Sequence, residues 1–364
     1  GAGGAGGAGG AGGGPVIVPI WDGNVAIRFT VYNPMDDSPY DITAAGGPFD
    51  DSSARLRFRV AWSTDDYSNH DSGSIDGNGE PFTIDALNDC KGGIECVKNL
   101  DDSFTVTMSI EPPEITGDSI GIAMEGRARV DVDEDGSVNS IPITSQIAYA
   151  NAEDVSAEAT PRRAIVSIDR CNDCHGIVTA HGSNRTNNVQ VCATCHNPNA
   201  TDEGINAASV DMKVMIHGIH SSNASFGDGA DTFFEVTYPR PINQCEACHL
   251  EGTWYPVEVP DDFRLASSTD LGLDVQDPED DVNTTFNAAA CGGCHVRLDN
   301  PDTPTDESLG NTTRAAHLMQ NGSSFDVTQL IDGTLDPFTV ESCTICHGPG
   351  RTADVGVVHA DGGE

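Results

Sequence analysis

Upstream of residue 158 the chain alternates apolar and polar positions. Leu56, Phe58, Val60 and Trp62 alternate with Arg55, Arg57, Arg59 and Ala61, and Val25, Ile27, Phe29 and Val31 do the same further upstream. A period of two places each apolar set on one face of a strand. Phe104, Val106, Met108 and Ile110 repeat the pattern, followed by runs over Ile120 to Val130 and Ile141 to Tyr149. Turn residues separate the runs at Asp50-Asp51-Ser52, Asp76-Gly77-Asn78-Gly79 and Asp135-Gly136. About seven strands are predicted over residues 15–158, an all-β domain built as an antiparallel sandwich or Greek-key barrel.

Past residue 158 the alternation stops, and residues 159–364 are predicted to hold short helices joined by irregular loops. Asp270 to Asp281 and Asp299 to Asp306 are such loops, rich in turn residues. Met212 to His220 has a helical pattern that puts His217 and His220, three apart, on one face.

Ten of the twelve cysteines fall in five copies of one spacing, C-x-x-C-H. The sets are Cys171, Cys174 and His175; Cys192, Cys195 and His196; Cys245, Cys248 and His249; Cys291, Cys294 and His295; and Cys343, Cys346 and His347. This is the attachment pattern of c-type haem. Two intervening residues let one tight turn offer both thiols to the porphyrin vinyl groups, and the next residue brings its imidazole to the iron. A zinc knuckle or a dithiol redox pair also uses C-x-x-C, but neither requires a histidine directly after the second cysteine. Here that histidine follows five times out of five. The remaining pair, Cys90 and Cys96, brackets a short loop and is expected to form a disulfide, which with covalent haem points to an oxidising compartment.

Of eleven histidines, five belong to the boxes and His70 lies far upstream. The other five, His181, His217, His220, His317 and His359, match the boxes one to one, which predicts five six-coordinate irons with two histidine ligands each. His181 follows His175 by only six residues and is better placed to serve a neighbouring haem than that of its own box. His217 and His220 could serve two adjacent haems. Met212, Met215 and Met319 are competing axial ligands, with core packing the preferred reading.

With 18 Lys+Arg against 57 Asp+Glu, the net charge of −39 argues against nucleic acid as a partner. Five macrocycles in the second half leave about 40 residues for each, so the porphyrins are expected to serve as the core, their burial being worth roughly 25 cal/mol per Å². Arg163, Arg170, Arg185, Arg240, Arg297 and Arg351 are candidates to pair with haem propionates. Asp131, Asp133, Asp135 and Gly136 begin like a calcium loop, but its twelfth position is Pro142 rather than Glu, and an acidic hairpin turn is preferred. No run approaches the roughly 20 apolar residues of a membrane span. Residues 1–14 are only Gly and Ala, a flexible tether by composition, and the chain reads as mature, with its export signal removed.

The boxes at Cys171, Cys192 and Cys245, with His181-Gly182 after the first and Met215-Ile216-His217-Gly218-Ile219-His220 before the third, resemble the five-haem modules of the outer-membrane decahaem cytochromes of extracellular electron transfer. The preceding β-region with its short disulfide loop resembles that family too. The resemblance implies covalent haem on each box and distal ligation by His181, His217 and His220, with His317 and His359 carried less directly. Members usually have two β-domains and two five-haem modules, and this chain matches one of each, without a lipid-bearing cysteine at its start. The implied role is an electron carrier, extracellular or on the outer cell surface, working with other redox cytochromes and extracellular acceptors. It would act as a discrete cytochrome or as the repeating subunit of a filament. In the filament, residues 1–14 would dock on a neighbouring copy and His70 would ligate a haem there. A multihaem reductase for a small oxyanion or sulfur compound is the alternative, and it requires an iron with an open position. In a third reading the β-domain recognises a mineral, a flavin or a protein partner.

Overall fold

The computed structural model describes residues 16–18, 24–33, 35–62, 64, 66–67, 69, 79–93, 95–109, 119–151, 158–202, 208–222, 225–226, 231–233, 237–257, 267–269, 282–296, 313–325, 327–328 and 341–360. Residues 1–14, His70, Asp76 to Asn78, Ile110, Arg297 and the loops 270–281 and 299–306 lie outside the described residues.

In chain order, residues 16–151 form β1 (Val16–Val18), β2 (Asn24–Phe29), β3 (Arg55–Trp62), β4 (Phe82–Ile84), helix α1 (Ala86–Gly92), β5 (Cys96–Lys98), β6 (Phe104–Ser109), β7 (Ser119–Val130), β8 (Asn139–Pro142) and β9 (Gln146–Asn151). The strands make two antiparallel sheets. One runs β1-β2-β6-β5, and the other runs β4-β3-β7-β8 with β9 also on β7.

Register explains why the alternation became a core. Ile27 and Phe29 pair with Val106 and Phe104 across β2 and β6, while Leu56, Phe58, Val60 and Trp62 pair with Gly126, Met124, Ile122 and Ile120 across β3 and β7. Directly paired residues share a face, so each apolar set points inward together. All these apolar residues are buried in one cluster. Phe29 joins the sheets, stacking on Phe104 at 5.9 Å and meeting Phe58 edge-on at 5.0 Å. The described ladders fit a sandwich, since among the described residues none joins the two sheets.

Three details differ from the sequence reading. Nine strands are present among the described residues of 16–151, because β1, β4 and β5 are only three residues long and too short to show periodicity. The run Ile141 to Tyr149 is two strands, not one: β8 pairs with Arg127 to Val130 and β9 with Ser119 to Met124, so β7 spans both. Pro142, which has no N–H for a ladder, ends β8. Helix α1 was not foreseen. Asp85 caps it by accepting from the Asn88 N–H, and the Cys90–Cys96 disulfide ties it to β5.

The outer face of the β3–β7 sheet is also buried. Arg59, Ala61, Ala123 and Glu125 lie there, covered by residues that follow position 158. Those residues form α2 (Ile168–His175), the small hairpin β10 (Thr179–Ala180) and β11 (Arg185–Thr186), α3 (Val189–Cys195), α4 (Met212–His220), α5 (Phe286–His295), α6 (Thr313–Gln320), α7 (Cys343–His347) and α8 (Val355–Ala360). Ala61, Tyr67 and Ala193 of α3 form a second apolar cluster at the junction. Gly121 leaves room for it, since a Cβ there would stand 2.8 Å from the Tyr67 hydroxyl. Beyond the junction, large apolar side chains are exposed: Ile345 at 67%, Val357 at 58% and Val358 at 49%. No helix among the described residues is long and apolar enough to cross a membrane.

Candidate functional site

Each C-x-x-C-H box is built on a local turn of helix. Four lie in α2, α3, α5 and α7, with the histidine at the helix end or directly after it. The third box is the exception, a single 3-10 turn over Cys245–Ala247 followed by Cys248 and His249. A helical turn brings residues three apart to one face, so both thiols of a box point the same way. The ten box cysteines carry no disulfide. Among the described residues no cysteine–histidine set gathers three ligand atoms within 4.8 Å.

The ten histidines assemble into five ring pairs, each joining one box histidine to one histidine from outside the boxes. His175 faces His220 at 6.1 Å between ring centres, His196 faces His181 at 6.0 Å, and His249 faces His217 at 6.0 Å. His295 faces His359 and His347 faces His317, both at 5.9 Å. His181 meets the second box, not its own. The two histidines of α4 separate, His220 going to the first box and His217 to the third. Met212, Met215 and Met319 lie on the helices that carry these paired histidines.

Side-chain hydrogen bonds fix how these rings present themselves. Nδ1 of His196, His220, His347 and His359 lies 2.8–2.9 Å from a backbone carbonyl, those of Val210, Ile216, Ala353 and Val355 respectively. A carbonyl only accepts, so Nδ1 carries the proton and Nε2 keeps a free lone pair, the form a metal takes. Burial favours the neutral ring at His181 and His249. It pushes His181 down to about 4, helped by Arg185 and His196, and His249 down to about 4, helped by His217.

The boxes are locked to one another by contacts that the motif does not reveal. Gly293, between the cysteines of the fourth box, packs on α4, where a Cβ would stand 2.7 Å from His217 Cβ. Glu341, just before the fifth box, accepts from the Asn287 and Ala288 N–H groups at 2.7 and 2.9 Å, and from the Thr285 and Ser323 hydroxyls at 2.6 and 2.9 Å. It therefore caps α5 from a distant part of the chain. Glu341→Ala is expected to cost about 1–2 kcal/mol, read as a lowered midpoint in thermal unfolding with faster amide exchange at the start of α5.

Three of the candidate arginines bond to protein groups. Arg163 bonds Asp66 at 3.1 Å, Arg185 bonds Glu125 at 2.5 Å, and Arg170 donates to the Glu246 and His249 carbonyls. Arg240 and Arg351 are exposed. Asp131, Asp133 and Asp135 do converge within 4.8 Å. Asp131, however, accepts from the Asp135 and Gly136 N–H groups at 3.2 and 2.9 Å, closing the turn between β7 and β8.

Residues 163–360 match the family described as outer membrane cytochrome MtrC/MtrF-like, domains II/IV. In fold the chain is similar to the outer membrane decaheme cytochrome OmcA, with 17% identity, a TM-score of 0.56, and coverage of 94% of this chain and 48% of that one. It is also similar to MtrC from Shewanella baltica OS185, with 13% identity, a TM-score of 0.56, and coverage of 92% and 50%. The chain spans about half the length of either structure. No curated protein sequence matches it. Since the family match takes in more than half of the chain, including all five boxes and their partner histidines, this protein belongs to the MtrC/MtrF-like outer membrane cytochromes.

Proposed function

We propose that this chain carries electrons outside the cell across five c-type haems, each attached by one C-x-x-C-H box and ligated by the two histidines of one ring pair. The ring spacing carries this reading. Two metal–imidazole bonds of about 2 Å each, with roughly one ångström from each coordinating nitrogen to its ring centre, come to about 6 Å, close to the separation in all five pairs. The donor set fits as well: imidazoles, four of them with Nδ1 on a backbone carbonyl and Nε2 left available, and paired thiols on one face of a turn. Haem iron held this way supplies reversible one-electron exchange.

The chain's own residues keep the sites adjacent. Helix α4 gives ligands to the first and third boxes, and the Cys171 and Cys248 thiols of those boxes neighbour each other. Gly293 holds the fourth box against His217, and Glu341 ties the fifth box to the fourth. The exposed Ile345, Val357 and Val358 offer apolar faces for a macrocycle to cover. Other redox cytochromes are the expected exchange partners. Every box has its partner histidine within the same chain, so the reading needs no ligand from a second copy.

Mass spectrometry of protein matured with haem attachment should find five covalently added haems, with one lost in Cys171→Ala/Cys174→Ala. Absorption and magnetic resonance spectra should be wholly low-spin. Apoprotein mass would overturn the proposal, and a stable high-spin haem would favour the reductase alternative.

A further inference from the structure

The His181–His196 pair differs from the others in where its support comes from. His181, Gly182 and Ser183 have φ of 53°, 66° and 68°, three successive left-handed residues. L-residues do not sustain such a run unaided, and here the β-sandwich holds it. Arg127 of β7 donates to the Gly182 carbonyl, and the Gly126 N–H donates to the Asn184 carbonyl at 2.8 Å. Asn184 in turn donates to the His181 carbonyl at 2.8 Å. Next in sequence, Arg185 forms its ion pair with Glu125, which also takes Arg59 at 3.1 Å. Ser145 then exchanges bonds with Thr186 at 2.9 and 3.0 Å.

The proximal side is held from the same domain. Asn69 donates to the Thr194 carbonyl at 2.9 Å, within the second box, and Asn197 donates to the Gly79 carbonyl at 2.7 Å. Ala193 packs on Ala61 and Tyr67. The Nδ1 partners of His196, His220, His249, His347 and His359 are all residues of the region after position 158, so the β-sandwich reaches this pair through the loop of His181 and the box of His196.

We propose that the β-sandwich is an integral part of one haem site. In this arrangement Gly126 and Arg127 position His181, Asn69 positions the box of His196, and the Arg59–Glu125–Arg185 cluster sets the charge beside that pair. The inference rests on the haem reading above. Arg185, four residues after His181, and Glu125 and Arg59, joined to it by ion pairs, are positioning and tuning residues.

The test uses the full haem-loaded chain. Arg127→Met should give a high-spin fraction at one haem per molecule by magnetic resonance, the others staying low-spin, and Arg127→Lys should restore it. Glu125→Gln removes a negative charge, which disfavours the more positive ferric state. A redox titration should therefore show one component moving to higher potential while the others stay in place. Unchanged spectra and potentials in both variants, or equal shifts at every haem, would overturn the inference. Should Glu125→Gln not accumulate, Arg127→Met decides alone. Failure of the haem reading is separately visible, as absence of covalent haem in the wild-type mass.

Discussion

Glu125→Ala is expected to lower the unfolding free energy by about 3–5 kcal/mol, measured by denaturant unfolding. Its carboxylate is buried between Arg59 and Arg185, with 3% of its side chain exposed. Removing it leaves two largely buried guanidinium groups without the carboxylate that lies between them. Replacing all three residues by apolar side chains of similar size should cost much less, because no buried charge is then left unpaired. The pH dependence has a definite sign. Burial pushes the Glu125 carboxyl up, but Arg59 and Arg185 more than offset this and hold it below the ordinary glutamate value. The stabilisation is therefore fully present above that value and is lost as pH falls through the lower value of the folded state. Glu80, 3.7 Å from Arg59, is a second carboxylate facing the cluster. The gap in stability between wild type and Glu125→Ala should close on acidification and stay constant near neutrality.

Gly293→Val is expected to cost about 1–3 kcal/mol through overpacking and to unseat His217 from His249. A side chain at position 293 meets His217 Cβ at 2.7 Å and the Gly218 N–H nitrogen at 3.1 Å, both anchored to the α4 backbone. Neither can swing away, so α4 and α5 must separate, and the Ser221 bond to the Gly293 carbonyl at 2.5 Å goes with them. Gly292→Ala makes the contrast, since its nearest neighbour is a ring atom of Phe325 at 3.2 Å, a side chain able to shift. Thermal unfolding should rank the two variants clearly. The low-spin fraction of the loaded protein should fall only for Gly293→Val.

Much of this was legible in the residues because the patterns are local. A strand with Leu56, Phe58, Val60 and Trp62 on one side has only one good way to bury them, and the register shows it. The five boxes are contiguous, and the count of histidines limits what can lie opposite them. The sequence did not show that Arg59 and Glu125, which look like solvent-facing positions of β3 and β7, lie beneath a second layer of the molecule. Polar alternation marks the face away from the apolar core, and it carries no sign of what may cover that face. Glu341 and Asn69 were missed because their partners are distant in sequence, at Asn287 and Thr194. A single acidic or amide residue carries no periodicity. Box spacing likewise gave no reason for two glycines between Cys291 and Cys294. The reason lies in the approach of another helix.

Helix α4 places His217 and His220 one turn apart on a single rigid segment, with each ring engaged by a different box. Three residues of helix advance about 4.5 Å along its axis, and that step is fixed by backbone hydrogen bonds. Tunnelling rates fall steeply with distance, so a gap governed by a loop would fluctuate with every change in loop shape. Between these two histidines the interval is instead ruled like a graduation on a stiff rod. On the haem reading proposed above, insertions or drift in the connecting loops would leave the spacing of these two ligands unchanged.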